Sequence, residues 1–377
     1  MKYTLAVTRQ CNFGCAYCYI SGISGHDAVM SHETAERVVE FIFSRTPEHE
    51  NIDIGFFGGE PLLEFELIKS IMRRIYRHER YDPERFLFSV VTNGSIFSDA
   101  IAADLREFRI SPGISCDGPA CIQNRSRVFR DGSPTSAAVE GNIRHALEFF
   151  PFMPVNAVYS PDTLDMLPDV VEYFHALGVR NIYLNPDISA RWTARHAEML
   201  DGVFSRIGTL YLDYYKAGAP CHISLIDSKI TVILRGGYEP LERCRMGKGE
   251  FAFAPSGNIY PCERLIGSDD GDRHCLGNVH SATGMLKRCS HDSEHTSNPF
   301  CLNCGISRYC MNWCGCTNYF ATGDYNSPGA FICASEKASV TTAYALIEKL
   351  GEEGFSFADH LAGTPLQSIV GEVSGLQ

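Results

Sequence analysis

The sequence predicts an α/β fold: a parallel sheet in a partial (β/α)6 TIM-type barrel, followed by a small metal-bound domain. Three observations carry this. Six short apolar runs alternate strictly with helical patterns over the first 190 residues, as parallel strands with crossover helices require. The 377 residues are 45% hydrophobic and 21% charged, which is enough to bury a large core. The sixteen cysteines are clustered, with three in 11–18 and ten in 244–333.

In order, Lys2–Thr8 is the first strand, and Ser31–Phe43 is a helix that Ser31 caps. Ile52–Phe57 is the second strand, with a helix over Glu64–Tyr76. Phe86–Val91 and a helix over Asp99–Phe108 follow, then Ile110–Ser115 and a helix over Thr135–Phe149. Pro154–Tyr159, a helix over Leu164–Leu177 and a sixth strand at Asn181–Asn185 complete the pattern. Whether such a sheet closes partly or lies open and doubly wound, functional residues belong at the C-terminal ends of its strands. A long helix over Thr193–Lys216 follows. From about Leu241 to Lys337 the chain is rich in Cys, Gly, Asn, Ser and Asp and has few periodic apolar runs, so bound metal is expected to cross-link it. Ser335–Leu350 reads as a helix with Ser335 as its cap, and the tail from 353 onward as partly loose. The expected division is a barrel at 1–190, a helical linker at 191–240, a cluster domain at 241–340 and a C-terminal helix and tail at 341–377.

The net charge of −12 weighs against nucleic acid or an anionic membrane as partner. No apolar run reaches the roughly 18 residues of a spanning helix. The apolar stretch at the N-terminus is too short for an export signal, so the expected location is cytoplasmic. Cysteines in that reduced compartment do metal or redox work more readily than they form disulfides. Cys116, Cys121 and Cys221 stand apart from the clusters and read as small buried residues.

Cys11, Cys15 and Cys18 form C-x3-C-x2-C in the loop after the first strand. Three thiolates within eight residues can wrap one cubane cluster and leave one of its irons open to an exogenous chelate. Zinc is the weaker reading, because it prefers four ligands and no His is near in sequence. Asn12, Phe13 and Tyr17 read as shielding for the cluster.

This loop, with Tyr17 just before Cys18, resembles the radical S-adenosylmethionine (radical SAM) superfamily. The resemblance implies a 4Fe–4S cluster whose open iron is chelated by the amino and carboxylate groups of SAM. It also implies reductive cleavage of SAM to a 5′-deoxyadenosyl radical that takes a hydrogen atom from the substrate. Further segments fit at the expected strand ends. Gly58-Gly59-Glu60-Pro61 resembles the family's GGEP motif for the SAM amino group. Its glycines allow close backbone approach, and Glu60 is an acceptor for an ammonium. Thr92-Asn93-Gly94 resembles the TNG segment. Ser115-Cys116-Asp117-Gly118-Pro119 resembles S-x-D-G-P, which places Ser115 at the SAM ribose and Asp117 either at the ligand or in a turn. Of Arg125 and Arg127, one is a candidate partner for the SAM carboxylate, the other reading being a solvated basic loop. Asn156 in the fifth strand either faces the cofactor or is a satisfied core Asn.

Cys244 and Cys262 bracket Gly257 as C-x12-G-x4-C. Cys301-x2-Cys304-x5-Cys310-x3-Cys314 and Cys333 follow. These gaps resemble the SPASM domain, a C-terminal extension of radical SAM enzymes that act mostly on peptides and proteins. A zinc ribbon needs only four cysteines and leaves the rest unexplained. The resemblance implies two auxiliary 4Fe–4S clusters, one on Cys301, Cys304, Cys310 and Cys333, the other on Cys244, Cys262 and Cys314. With the first cluster, that makes three. Tyr238 stands where some members carry a fourth ligand for the second set, so either Cys221, Cys275 or Cys289 closes that cluster or one iron is open. Cys316 lies too close to Cys314 to ligate the same cluster easily and stays unassigned. Glu263 follows Cys262, where the sulfatase-maturing branch has an Asp as general base. A Glu there is either a base for a substrate thiol or hydroxyl or a paired surface residue. His274, His280, His291 and His295 read as solvated surface.

The function expected is hydrogen abstraction from a residue of a peptide or protein, with a thioether or other cross-link ranked above oxidation of Cys or Ser to formylglycine. Carbon–carbon bond formation and inversion of a stereocentre are further chemistries with these motifs. The expected partners are the substrate, a reducing electron donor such as flavodoxin or ferredoxin, and, because the first strand begins at Lys2, a separate leader-peptide-binding protein or else a short substrate. The contrasting class is a non-catalytic metal or electron-transfer protein. Gly58–Pro61 argues against it, since a scaffold has no need of a SAM-binding loop.

Overall fold

The structure is a computed structural model that describes residues 1–20, 28–239, 242–271, 273–281, 285–291, 298–311 and 314–355. Its strands are β1 (Lys2–Thr8), β2 (Ile52–Gly58), β3 (Phe86–Thr92), β4 (Ile110–Ser115), β5 (Pro154–Tyr159), β6 (Asn181–Pro186), β7 (His222–Ile223), β8 (Glu250–Phe253), β9 (Asn258–Tyr260) and β10 (Gly277–Asn278). Its helices are α1 (His32–Arg45), α2 (Phe65–Arg77), α3 (Asp99–Glu107), α4 (Ala120–Ser126), α5 (Ser136–Phe149), α6 (Leu167–Ala176), α7 (Ala194–Lys216), α8 (Ser224–Arg235), α9 (Pro299–Leu302), α10 (Gly315–Thr322) and α11 (Ala330–Glu352). None of the described helices is long and apolar enough to cross a membrane.

The chain divides into two units, the first comprising Met1–Ser115, Asn124–Ile143 and Arg245–His291. Its strands run β10-β9-β8-β1-β2-β3-β4. The pairs β1–β2, β2–β3 and β3–β4 are parallel, as the alternating pattern predicts. Six of the seven residues of β1 are buried, on both faces of the strand, as a central parallel strand should be. The Ser31 side chain accepts from Thr34 N and starts α1, whose Val38, Val39, Ile42 and Phe43 face the core. Each such buried side chain contributes on the order of 1.5–3 kcal/mol.

The second unit comprises Cys116–Gln123, Arg144–Cys244 and Asp292–Gln377. β5, β6 and β7 pair in parallel. Helix α11 packs on α7 and α8. Gly208 permits the close crossing, since a Cβ there would lie 2.9 Å from Thr342 Cγ2.

Several expectations are corrected. The segment after Leu241 is not without a core. β8 pairs parallel with β1, matching Lys2 to Glu250 and Leu5 to Phe253, and Phe251, Phe253 and Tyr260 are fully buried. The Cys- and Gly-rich composition hid this hairpin because its strands have only four and three residues. Ser335 caps nothing. α11 begins at Ala330 behind Gly329, and Ser335 is a buried interior position. Cys121 is exposed, unlike buried Cys116 and Cys221. His291 is buried rather than solvated. His295 and residues 356–377 lie outside the described residues.

Candidate active site

In the first unit the Cys11–Cys18 loop leaves the end of β1 and is held by backbone bonds. Gly14 N donates to Val128 O and Ala16 N to Ser126 O, both at 2.8 Å. The Phe13 and Phe129 rings meet edge-on at 5.1 Å. Cys11, Cys15 and Cys18 are all half-buried. Two donors converge on Cys11 Sγ: Phe13 N at 3.4 Å and Asn93 Nδ2 at 3.7 Å. Burial raises the Cys11 pKa, the two donors oppose that, and the nearby Cys18 sulfur adds to it. Donors aimed at sulfur favour the thiolate. Three soft sulfurs on one loop, one of them already solvated by N–H groups, fit an iron–sulfur cluster.

The glycines after β2 are fixed by crowding. A Cβ at Gly58 would sit 2.1 Å from Thr8 O, and one at Gly59 would sit 2.1 Å from Gln10 O; Gly58 also has φ +140°. That closeness lets Gly59 N donate to Thr8 O (2.8 Å) and Glu60 N to Gln10 O (2.7 Å), tying this turn to the root of the cysteine loop. Gly59→Ala is expected to displace that root and strip iron from the first cluster, read as a lower iron content. An unchanged iron content would show that the turn does not position the loop.

Glu60 departs from its expected task. Its side chain has no exposure, and its oxygens accept from Leu62 N (3.0 Å), Thr92 Oγ1 (2.7 Å) and Asn93 N (2.7 Å). Burial pushes its pKa to about 7 against those donors and the Arg127 guanidinium. The carboxylate therefore clasps the end of β3 to the turn rather than presenting itself to an ammonium. Asn93, positioned by this bond, reaches Asn12 Oδ1 at 2.8 Å as well as Cys11. Buried Pro61 starts a 3₁₀ turn. Arg127 is buried with its guanidinium 5.3 Å above the Tyr17 ring, whereas Arg125 is exposed. Asn124, next to Arg125, accepts from Thr135 N and Ser136 N at the start of α5. Ser115 is half-buried at the end of β4.

In the second unit Asp117 is buried. Its N–H donates to Gln123 Oε1 (2.8 Å) and its Oδ1 accepts from Val158 N (3.0 Å), so its carboxylate fastens a turn to β5. Sequence reasoning missed Gln123, which sits one helical turn beyond the motif. Asn156 is half-buried in β5, and its carbonyl accepts from Cys116 N.

Of the later cysteines, Cys244, Cys301, Cys304, Cys310, Cys314 and Cys333 are half-buried. Burial raises the Cys301 thiol pKa, and the Cys333 and Cys304 sulfurs add to that. Again the donors are thiols, which suits an iron–sulfur centre. Cys316 is buried with its sulfur 3.6 Å from Cys314 Sγ, to which Thr317 Oγ1 also donates at 3.3 Å. Cys221 is pushed to about 12 by burial, with the Asp227 charge adding to it. Cys275 belongs to an apolar cluster with Ala6, Ala252, Ala254, Tyr260 and Ile266. Cys289 is buried against Gly247, where a Cβ would lie 2.4 Å from its own.

Back in the first unit, Cys262, Glu250 and Glu263 bring a ligand atom each within 4.8 Å of one another. Lys2 Nζ meets Glu250 Oε1 at 3.0 Å. Burial works against the Lys2 charge, but Glu250 and Glu263 outweigh it and hold the ammonium well above its ordinary range. Glu263 Oε2 accepts from Cys262 Sγ at 3.4 Å, so it is neither isolated nor merely a surface charge.

The radical SAM superfamily model matches residues 5–174. The chain is 25% identical over 338 residues to the radical SAM cyclopropyl synthase TigE of Paramaledivibacter caminithermalis, covering 82% of this chain and 66% of that protein. It is 23% identical over 331 residues to the cysteine-type anaerobic sulfatase-maturating enzyme of Clostridium perfringens, covering 81% and 85%. The structure of native anSMEcpe with bound AdoMet and Kp18Cys peptide shares the fold, with a TM-score of 0.76, 19% identity and coverage of 93% and 100%.

Proposed function

This chain is a radical SAM enzyme, and on that premise we propose that it modifies a residue of a peptide or protein by forming a thioether or another cross-link. The observation that carries the reading is the clasp in which Gly59, Glu60 and Asn93 fix the root and first sulfur of the Cys11–Cys18 loop. Cys11, Cys15 and Cys18 would hold a 4Fe–4S cluster with one open corner for SAM. Bound there, cluster and SAM would supply a 5′-deoxyadenosyl radical for hydrogen abstraction. The chain's own residues do the rest. The backbone of Gly58–Pro61 would take the amino group, Ser115 would meet the ribose, Asn156 would face the cofactor, and buried Arg127, its guanidinium over Tyr17, would take the carboxylate. Asp117 holds the turn that carries the neighbouring contacts.

The SPASM-like spacing of the later cysteines supports the peptide reading. Cys301, Cys304, Cys310 and Cys333 would hold one, and Cys244, Cys262 and Cys314 the other. With Tyr238 where an eighth thiol would stand, the three-cysteine set would leave a corner for a substrate sulfur. A reducing donor of the flavodoxin or ferredoxin kind would supply electrons in the cytoplasm. A second reading, oxidation of Cys or Ser to formylglycine, is favoured by Glu263 beside Cys262 and by the named sulfatase-maturating relatives. Incubating reduced enzyme and SAM with short peptides encoded near its gene separates them by mass spectrometry. A thioether appears as loss of a pair of hydrogens together with an alkylatable thiol. A hydrazide-reactive aldehyde sinks the first reading in favour of the second, and unmodified peptides with SAM cleaved remove the substrate class.

A further inference from the structure

Lys229 of α8 is 2% exposed, and its Nζ lies 2.7 Å from Glu336 Oε2 on α11. A buried ion pair persists only when further hydrogen bonds satisfy its remaining donors and acceptors. Here those bonds go to the two neighbours of one cysteine. Lys229 Nζ donates to Tyr309 O at 3.1 Å, and Glu336 Oε2 accepts from Met311 N. Cys310 is thus clamped from both sides. Cys333 lies three residues before Glu336 on the same helix, so the pair also ties the segment of Cys310 to the helix of Cys333. Tyr238 closes the nest, with its ring 5.4 Å from Lys229 Nζ and its hydroxyl at 3.5 Å. The Lys229 ammonium is thus bonded to the residue next to Cys310.

We propose that Lys229 and Glu336 are positioning residues for the centre on Cys301, Cys304, Cys310 and Cys333, and that the cation beside Cys310 sets its reduction potential. This rests on the reading that those four cysteines hold an iron–sulfur cluster. Local charge and hydrogen bonding are main determinants of such potentials. Removing the cation disfavours the more negative reduced state, and removing the anion favours it.

The test is a redox titration followed by electron paramagnetic resonance on full-length, anaerobically reconstituted protein. The signal that Cys333→Ala loses identifies the centre. Lys229→Met is expected to lower its potential, Lys229→Arg to return it towards wild type, and Glu336→Gln to raise it. Opposite shifts cannot come from general loosening. If Lys229→Met does not fold, the upward shift in Glu336→Gln carries the test alone. A wild-type signal that neither charge-removing variant moves overturns the inference and leaves the cluster assignment standing. Wild-type protein with no signal dependent on Cys333 overturns the cluster assignment and the inference with it.

Discussion

Cys15→Ala is expected to abolish reductive cleavage of SAM and to leave the proposed later iron centres in place. Cys15 sits mid-loop, half-buried, between two residues whose backbone N–H groups are already satisfied by Val128 O and Ser126 O. Those bonds do not involve its side chain, so the loop keeps its path when the sulfur is removed. Two sulfurs do not hold a cubane with one designated open corner. Iron should fall from about twelve per chain to about eight, taking three four-iron clusters as the full complement. Anaerobic incubation with dithionite, with 5′-deoxyadenosine measured by chromatography, reads the result. Continued production at the wild-type rate would place the radical chemistry elsewhere and dissolve the site.

The reason this site could be read in sequence at all is locality. Cys11, Cys15 and Cys18 lie on one loop, and the glycines that meet it follow directly after the next strand. The strands themselves were legible for a similar reason: each of the six is a compact apolar run, and the observed β1, β4 and β5 coincide with the ranges read from it. What stayed hidden is long-range or short. β7 has two residues, and α8 follows it without a capping side chain, so nothing in Cys221–Arg235 announces an element. Glu250–Tyr260 was masked by a composition of cysteine and glycine although its inward residues are Phe, Ala, Ile and Tyr. Glu60 was legible as important but not in its task, because Asn93 and Thr92, which bind it, are more than thirty positions away. The Lys229–Glu336 pair spans 107 positions and leaves no local pattern. Ser335 misled through a sound rule, since a serine before an apolar run is a good cap signal only when the helix has not already begun.

Glu60→Gln should be nearly as damaging as losing a cluster sulfur, and the geometry says why an amide cannot stand in. One carboxylate oxygen takes Leu62 N and Thr92 Oγ1, and the other takes Asn93 N. An amide offers one acceptor and one donor. Turned one way it faces an NH2 at Asn93 N, and turned the other way it faces Leu62 N. The Thr92 hydroxyl can rotate to accept, but a backbone N–H cannot. One buried N–H is therefore orphaned in either pose, at a cost of about 1–3 kcal/mol. If it is Asn93, the donor to Cys11 moves as well, so a lower thermal midpoint should come with reduced iron at the first cluster. Glu60→Ala, which orphans all three donors, should be worse on both counts. The carboxyl also fixes a pH dependence. Burial raises its pKa in the fold to about 7 from an ordinary 4.5, so between those values the folded chain holds a proton that the unfolded chain has lost. Stability from this group is then fully present below about 4.5, declines as pH rises, and levels off above about 7. The gap in thermal midpoint between wild type and Glu60→Gln should narrow across that window. A gap that widens with pH would mean that the three donors and Arg127 outweigh burial and that Glu60 is held ionised throughout.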